Sequence, residues 1–411
     1  MTQQNSRLLS VDILRGITIA GMILVNNPGS WRYMFAPLQH ASWHGMTPTD
    51  LIFPFFIFIM GISTYISLKK TNFECTRATL WKIGKRVFWI FFIGLALAWF
   101  GMSISAWNRL ASNEELSFFA RLLEATTGQF GNIRILGVLP RLALTYGIAA
   151  IIAITVRHKF IPWIIGIVLL VYFLLLQFGN GFELAINNIV VIVDRAILTD
   201  AHMWGGMTSV AECGTRFRFE PEGILSTFPA AMQVLIGFMC GKIILDTKDN
   251  YVRIQQLFIV GAILTFAGLL LQYGCPINKL LWTPTFVLAT SGMAATLLAL
   301  LIWIIDIHGH KRWTPFFETF GINPLFLFVF ATFVAILLGR ILVTVTIDDQ
   351  EVQRAVQWVI YNRGILPIFE AFIETSRTAQ LWASFMYSLL FLGFNYIIGY
   401  ILYKKRIYIK I

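Results

Sequence analysis

Six histidines occur in the chain, and two of them, His40 and His44, fall four residues apart just ahead of a long apolar run. On a helix that spacing would put both imidazoles on one face, as in a metal pair. Gly45 and Pro48 mark the stretch as a loop, and no acidic or cysteine partner completes a ligand set, so no metal is expected. A single imidazole at the mouth of a membrane cavity suits general acid–base work, because its ordinary pKa of about 6.5 lies near neutrality. His158, His308 and His310 sit among basic residues of turns and read as solvated charge, while His202 stands alone in a long loop.

The first apolar run carries Asp12 and Arg15 near one end and Asn26 near the other. An ionised side chain at the centre of a membrane helix costs about 2.5–3.5 kcal/mol on insertion scales, so such residues pair or line a path. Asp12 and Arg15 are helical neighbours, which reads as a structural ion pair; the alternative is that Arg15 meets an anion. Asn26 reads either as a helix terminator or as an amide donor to a developing oxyanion. Three further polar clusters fall at the edges of apolar runs: Pro140-Arg141, Glu220-Pro-Glu222-Gly223 and Asn278-Lys279-Leu-Leu-Trp282. Glu222 there can serve the dipole of the helix it precedes. Together, Arg141, Glu222, Lys279 and Trp282 also have the make-up of a sugar-binding mouth, with an aromatic ring over a pyranose face and charged groups on its hydroxyls.

The element that must position His40 is the helix after it. Thr47 is expected as its N-cap, Pro48 as its first residue and Asp50 as its third, with the carboxylate folding back on the cap. Residues 48–68 would rise about 31 Å, enough to cross a hydrocarbon core of about 30 Å. Pro54 inside this run predicts a kink or a freed carbonyl.

Of the 411 residues, 57% are hydrophobic and 13% charged, which makes the chain an integral membrane protein. The net charge of +11 does not point to nucleic acid, because the basic residues gather in short turns between apolar runs. The four cysteines, Cys75, Cys213, Cys240 and Cys275, lack metal-like spacing and read as packing residues; Cys213 and Cys275 lie in loops where a disulfide is an alternative. One basic residue precedes the first apolar run and no small-residue cleavage site follows it, so an uncleaved first span is expected.

Ten runs predict spans, at about 8–27, 48–68, 80–100, 136–156, 162–178, 223–244, 252–272, 283–305, 320–345 and 381–403. The expected fold is an all-α polytopic integral membrane protein of about ten transmembrane helices. Its basic turns, and so both termini, are placed in the cytoplasm by the positive-inside rule, with His40 outside. The longer loops near 101–135, 179–222 and 346–380 then lie outside and are expected to cap or line an entrance. No internal repeat is evident, which argues against a transporter built of duplicated halves.

Several spaced blocks resemble the heparan-α-glucosaminide N-acetyltransferase family and its bacterial relatives among transmembrane acyltransferases. They are Ser10-Val-Asp-Ile-Leu-Arg-Gly16, Val25-Asn26, His40-Ala-Ser-Trp43, Gly45, Thr47, Asp50-Leu51, Phe53-Pro54 and Phe58-Ile-Met-Gly61. Gly137-Val-Leu-Pro-Arg141-Leu, Pro221-Glu-Gly-Ile-Leu, Asn278-Lys-Leu-Leu-Trp282 and Gly321-Ile-Asn323-Pro follow in the same order, so the likeness covers nearly the whole of 1–411 as one domain. The resemblance implies transfer of acetyl from cytoplasmic acetyl-CoA to the amine of a glucosamine-containing, heparan-type or other amino sugar across the bilayer. In that reading His40 takes the place of the catalytic histidine and Asn26 that of an asparagine beside the acetyl group. Asp50, Arg141, Glu222, Lys279 and Trp282 would meet the sugar, and Arg15, Lys69, Lys85 and Arg86 the phosphates of acetyl-CoA. His44 stands where the lysosomal enzyme has asparagine and inherits no catalytic role. The animal enzyme's luminal N-terminal domain and extra first span are not seen here, so chain processing is not expected. The implied location is a bacterial inner membrane, multi-pass, with His40 toward the periplasm; a homodimer is left open. The alternatives are O-acetylation of a surface glycan and, in another class, a solute transporter in which His40, Arg15 and Asp12 relay protons.

Overall fold

The computed structural model describes residues 8–112, 116–206, 208–210 and 216–409. The apolar runs fold as helices in chain order: α1 (Leu9–Val25), α2 (Pro48–Lys69), α3 (Arg77–Arg109), short α4 (Phe118–Thr127), α5 (Val138–Thr155), α6 (Ile161–Phe178) and short α7 (Ile189–Leu198). A small antiparallel hairpin, β1 (Thr208–Val210) with β2 (Arg216–Arg218), leads to α8 (Ile224–Asp246), α9 (Asn250–Leu271) and α10 (Pro284–Leu301). Then come α11 (Thr314–Ile322) and α12 (Pro324–Arg340), and a second antiparallel hairpin, β3 (Leu342–Ile347) with β4 (Gln350–Ala355), pairing Leu342 with Ala355. α13 (Val356–Val359), α14 (Leu366–Phe372) and the long α15 (Ser376–Lys404) complete the chain.

Among the described residues eight helices are long and apolar enough to cross a bilayer, so the protein is an all-α polytopic membrane protein decorated with two hairpins. The ten expected spans resolve differently at two places. α1 has 17 residues, about 25 Å, and is mostly buried. The run expected over 320–345 is not one span: α11 and α12 meet at an angle of 84°, and Val345 lies in β3. The break falls at Asn323 because Pro324 has no N–H to continue the helix. Asn323 stitches the corner to the chain end, donating from Nδ2 to the Ile407 carbonyl (2.8 Å) and accepting from Ile409 N (2.9 Å).

Burial separates an inner from an outer set of helices. About two-thirds of α2, α5, α8 and α10 is buried, against less than three-tenths of α3, α6, α9 and α15. The outer helices turn Trp81, Phe92, Leu170, Phe266 and Leu390 outward, an apolar surface that water would not tolerate and lipid does. In the inner set α2 and α8 touch backbone to backbone: a Cβ on Gly61 would lie 2.0 Å from the Val234 carbonyl oxygen, and one on Gly237 2.0 Å from that of Phe58. Only glycine permits this approach. Pro54 is accommodated within a continuous α2, where Gln233 Nε2 of α8 reaches its carbonyl at 3.3 Å.

The start of α2 forms as its residues predict. Thr47 N donates to Asp50 Oδ2 (3.0 Å), Asp50 N donates to the Thr47 carbonyl (3.0 Å), and Thr47 Oγ1 donates to the Gln39 carbonyl (2.7 Å). The helix end and the loop before it are thus one unit. Cys240 and Cys275 are free and buried, Cys75 is free and exposed, and Cys213 lies outside the described residues, as does its alternative pairing.

Candidate active site

His40 opens onto a cavity of about 600 Å³ walled by the end of α1, the loop before α2, the approach to α5, the turn before α8 and the turn before α10. Asn26, His40, Asp50, Arg134, Glu222, Lys279 and Trp282 all line it. The stretches near 101–135 and 179–222 supply Arg134, Trp204 and Glu222 as its roof, while residues 101–109 continue α3 instead of looping.

The chemistry centres on His40 and Asp50. Nδ1 of His40 lies 2.6 Å from Asp50 Oδ1, and a carboxylate can only accept, so Nδ1 carries the proton. That leaves Nε2 with a lone pair. Lys279 Nζ stands 3.0 Å from the same Nδ1 and 3.2 Å from Asp50 Oδ1. Two donors do not bond each other, so the ammonium pairs with the carboxylate. Asp50 is 1% exposed, and its second oxygen accepts from Ala41 N and Thr47 N (3.0 Å each). Asp50, expected against the substrate, lines the cavity with both oxygens engaged by protein donors, the imidazole among them. Burial lowers the pKa of Lys279, opposed by Asp50 and Glu222.

The loop turns are built to deliver these groups. Gly45 takes φ +104°, open to glycine, and its N–H donates to the Ile277 carbonyl (2.8 Å), bridging the His40 loop to the Lys279 turn. In that turn Asn278 Oδ1 accepts from Leu281 N (2.9 Å), and its Nδ2 lies 3.4 Å from His44 Nδ1. Asn26 closes α1, and its exposed side chain lines the cavity with no hydrogen-bond partner among the described residues.

The other expected sugar contacts fare unevenly. Arg141 is fully buried beneath the cavity and does not line it: Nη2 donates to Ser226 Oγ and to the Gly223 carbonyl (3.4 Å), and the guanidinium lies 5.0 Å from the Trp282 ring centre. Trp282 is 1% exposed, donates from Nε1 to Gln233 Oε1 (3.1 Å) and meets Phe53 edge-on at 5.5 Å. It is a wall supporting Lys279, not an open platform. The exposed indoles at the cavity are those of Trp31 and Trp204, which no motif marks.

Arg134 was also missed, since it sits in a loop without a pattern. It bonds both Glu220 and Glu222, with Nε to Glu220 Oε2 at 3.0 Å and Nη2 to an oxygen of each. Burial pushes the pKa of Arg134 down, but the carboxylates of Glu222 and Glu220 hold it above the usual value. Burial leaves Glu220 raised, whereas for Glu222 the arginines 134 and 141 outweigh burial and lower it. The dipole of α8 is served not by Glu222 but by Asp194, whose Oδ1 accepts from Ile224 N at 2.8 Å. Burial pushes the Asp194 carboxyl up to about 7.

The expected phosphate partners stand elsewhere. Arg15 donates to Asp12 Oδ1 (3.1 Å), Ser63 Oγ (2.7 Å) and the Gly321 carbonyl (3.3 Å), the structural ion pair of the two readings. Lys69 pairs with Asp246 (2.7 Å), Lys85 is exposed, and Arg86 lies 4.6 Å from the Tyr146 ring centre. None lines the His40 cavity. α2 starts at that cavity and rises about 33 Å to Lys69, so these cations belong to the opposite end of the bundle. Among the described residues no three His, Cys, Asp or Glu side chains cluster to hold a metal.

Fold and site together define a polytopic helical membrane protein with a carboxylate-held histidine at one mouth of the bundle. No family model matches the chain. It is similar to two curated proteins named heparan-alpha-glucosaminide N-acetyltransferase. The one from Homo sapiens is 26% identical over 373 residues, covering 79% of this chain and 52% of that protein. The one from Mus musculus is 25% identical over 457 aligned positions, covering 99% of this chain and 61% of that protein. The chain therefore spans about half to three-fifths of the length of the relatives it matches, and the matches support the family likeness read from its motifs.

Proposed function

We propose that this chain is a membrane N-acetyltransferase that moves acetyl from acetyl-CoA to the amine of a glucosamine-containing sugar at the His40 end of the bundle. The observation that carries the reading is the 2.6 Å contact between His40 Nδ1 and Asp50 Oδ1, which presents Nε2 as a base at an open cavity. The amine nitrogen attacks the acetyl carbonyl carbon while Nε2 accepts its proton. The carbon–sulfur bond then breaks, and the thiolate leaves with that proton as free CoA thiol. Asp50 stabilises the transient imidazolium, as the acid of a hydrolase triad does, and the Asn26 amide supports the oxyanion. Trp31, Glu222 and the roof residues hold the sugar.

The cations at the far end, Lys69, Lys70, Lys85 and Arg86 among them, support an orientation with that end in the cytoplasm of a bacterial inner membrane and His40 outside. The donor then presents its thioester through the bundle from the side where acetyl-CoA is found. Membrane vesicles given labelled acetyl-CoA and glucosamine test the reading: wild type transfers label, and His40→Ala does not. Transfer by His40→Ala at the wild-type rate would remove the assignment, and solute uptake without acetyl-CoA consumption would favour a transporter.

A further inference from the structure

Two further cavities meet at Lys242, near the end of α8 that lies far from His40. The larger, about 1080 Å³, is a cleft with α8 and α10 as its floor and α6 and α9 as its sides, each side helix packing on both floor helices. Leu170 of α6 and Leu270 and Leu271 of α9 line it and are more than half exposed, so it opens on the face that meets lipid. Its charged lining residues, Lys242 and Asp246, both lie at one rim, beside Thr247 and Gln256. From Gln256 to Leu271, α9 rises about 22 Å along the cleft. One leaflet takes about 15 Å of a hydrocarbon core of about 30 Å, so the cleft is deep enough for a whole acyl chain.

The smaller cavity, about 540 Å³, has the opposite character. Arg157, His158, Lys159 and Lys242 line it, and none of its described lining residues is acidic. Arg157 and Lys159 are exposed. Asp246, at the shared rim, is bonded to Lys69 (2.7 Å) and Tyr65 (3.2 Å), and Lys242 acts on it only through space. A preference for cations in the turns at one membrane face accounts for their presence. It does not account for three of them converging on a cavity that shares a wall with an apolar cleft.

We infer that the two cavities are one site for an anionic phospholipid, its phosphate among Arg157, Lys159 and Lys242 and one of its acyl chains in the cleft. Basic pockets between transmembrane helices suit lipid phosphates, and an apolar cleft within the hydrocarbon region takes hydrocarbon where it would reject water. The chain fills the gap between α6 and α9. Tyr172 of α6 donates to the Leu281 carbonyl (2.6 Å), so the lipid braces a helix that touches the turn bearing Lys279.

In the test, detergent-purified protein is titrated with phosphatidylglycerol or with phosphatidylcholine of the same chains. The quantity read is the lipid mole fraction that gives half the rise in thermal midpoint. For wild type that fraction should be on the order of tenfold lower for phosphatidylglycerol. Arg157→Gln with Lys242→Gln should erase the preference, and Lys82→Gln, which removes an exposed cation of α3 outside both cavities, should keep it. Gly166 lines the cleft, and a Cβ there would meet nothing within 4 Å. Gly166→Phe therefore sets a ring in the path of the chain and should weaken the response to both lipids about tenfold. Equal potency of the two lipids on wild type overturns the site, as does a preference that survives the double variant. An equal loss in Lys82→Gln overturns it in favour of diffuse surface charge, and an unaltered response of Gly166→Phe in favour of a headgroup patch without a chain. Protection by CoA that the double variant abolishes, with the two lipids equal, overturns it in favour of a nucleotide. Should the double variant not fold, phosphatidylglycerol retained through purification decides: retention by wild type and loss from Gly166→Phe supports the site, and equal retention overturns it.

Discussion

Asp50 Oδ1 lies 2.6 Å from Nδ1 of His40, while Oδ2 of the same carboxylate accepts the N-cap N–H of α2. One side chain therefore fixes both the start of a transmembrane helix and the tautomer of the imidazole before it. Asp50→Asn keeps the shape but supplies no charge for the imidazolium, so kcat should fall about 10²-fold or more with little change in KM for the acceptor. A kcat within twofold of wild type would sink the arrangement. Lys279→Met alone should cost less, and combined with Asp50→Asn it should add little, because the two charges act as one pair.

Arg134 is the sole cation bonded to Glu220 among the described residues, and Glu220 is 1% exposed. Removing one partner of such a pair leaves an uncompensated charge, typically about 3–5 kcal/mol. Arg134→Gln should lower the thermal midpoint in detergent sharply, and adding Glu220→Gln should restore much of the loss. An unshifted midpoint in the single variant would contradict the pairing.

The stability of the cap on α8 should depend on pH through Asp194. Its folded pKa of about 7 lies above the unfolded value near 3.8, so the folded state holds the proton more tightly. The contribution is full below pH 3.8 and is lost as pH rises through 7. Asp194→Asn keeps an oxygen for Ile224 N and does not titrate. The thermal midpoint of wild type relative to Asp194→Asn should therefore fall from pH 4 to pH 7 and level off above; a constant difference over that range would refute the assignment.

Much of the frame was legible because bilayers enforce a coarse code. Long apolar runs, basic turns and the Thr47-Pro48-Thr49-Asp50 start each follow from local chemistry, and the structure forms them where they were read. The break at Asn323-Pro324 was readable in principle, since proline after asparagine interrupts a helix, but the surrounding run was apolar enough to hide it. Asp50 is legible as a cap but not as the partner of His40, because a carboxylate has two oxygens and sequence displays only the partner close by. Arg134 and Trp31 left no trace, since loop residues are brought to a cavity by long-range packing that spacing does not encode. Arg141 lies wholly beneath the cavity and Trp282 lines it with its ring almost fully buried, degrees of burial that residue type and position do not reveal.

The glycine contact between α2 and α8 bears on how the mouth of the His40 cavity could widen. Both helices begin at the cavity, run alongside each other and touch main chain to main chain at Gly61 and Gly237, leaving no side-chain layer to slide or swivel. The jaw that holds the imidazole and the jaw that holds the Glu222 turn are thereby welded into a fixed anvil. Widening the mouth is left to its other walls, the segment after α1 that carries Trp31 among them.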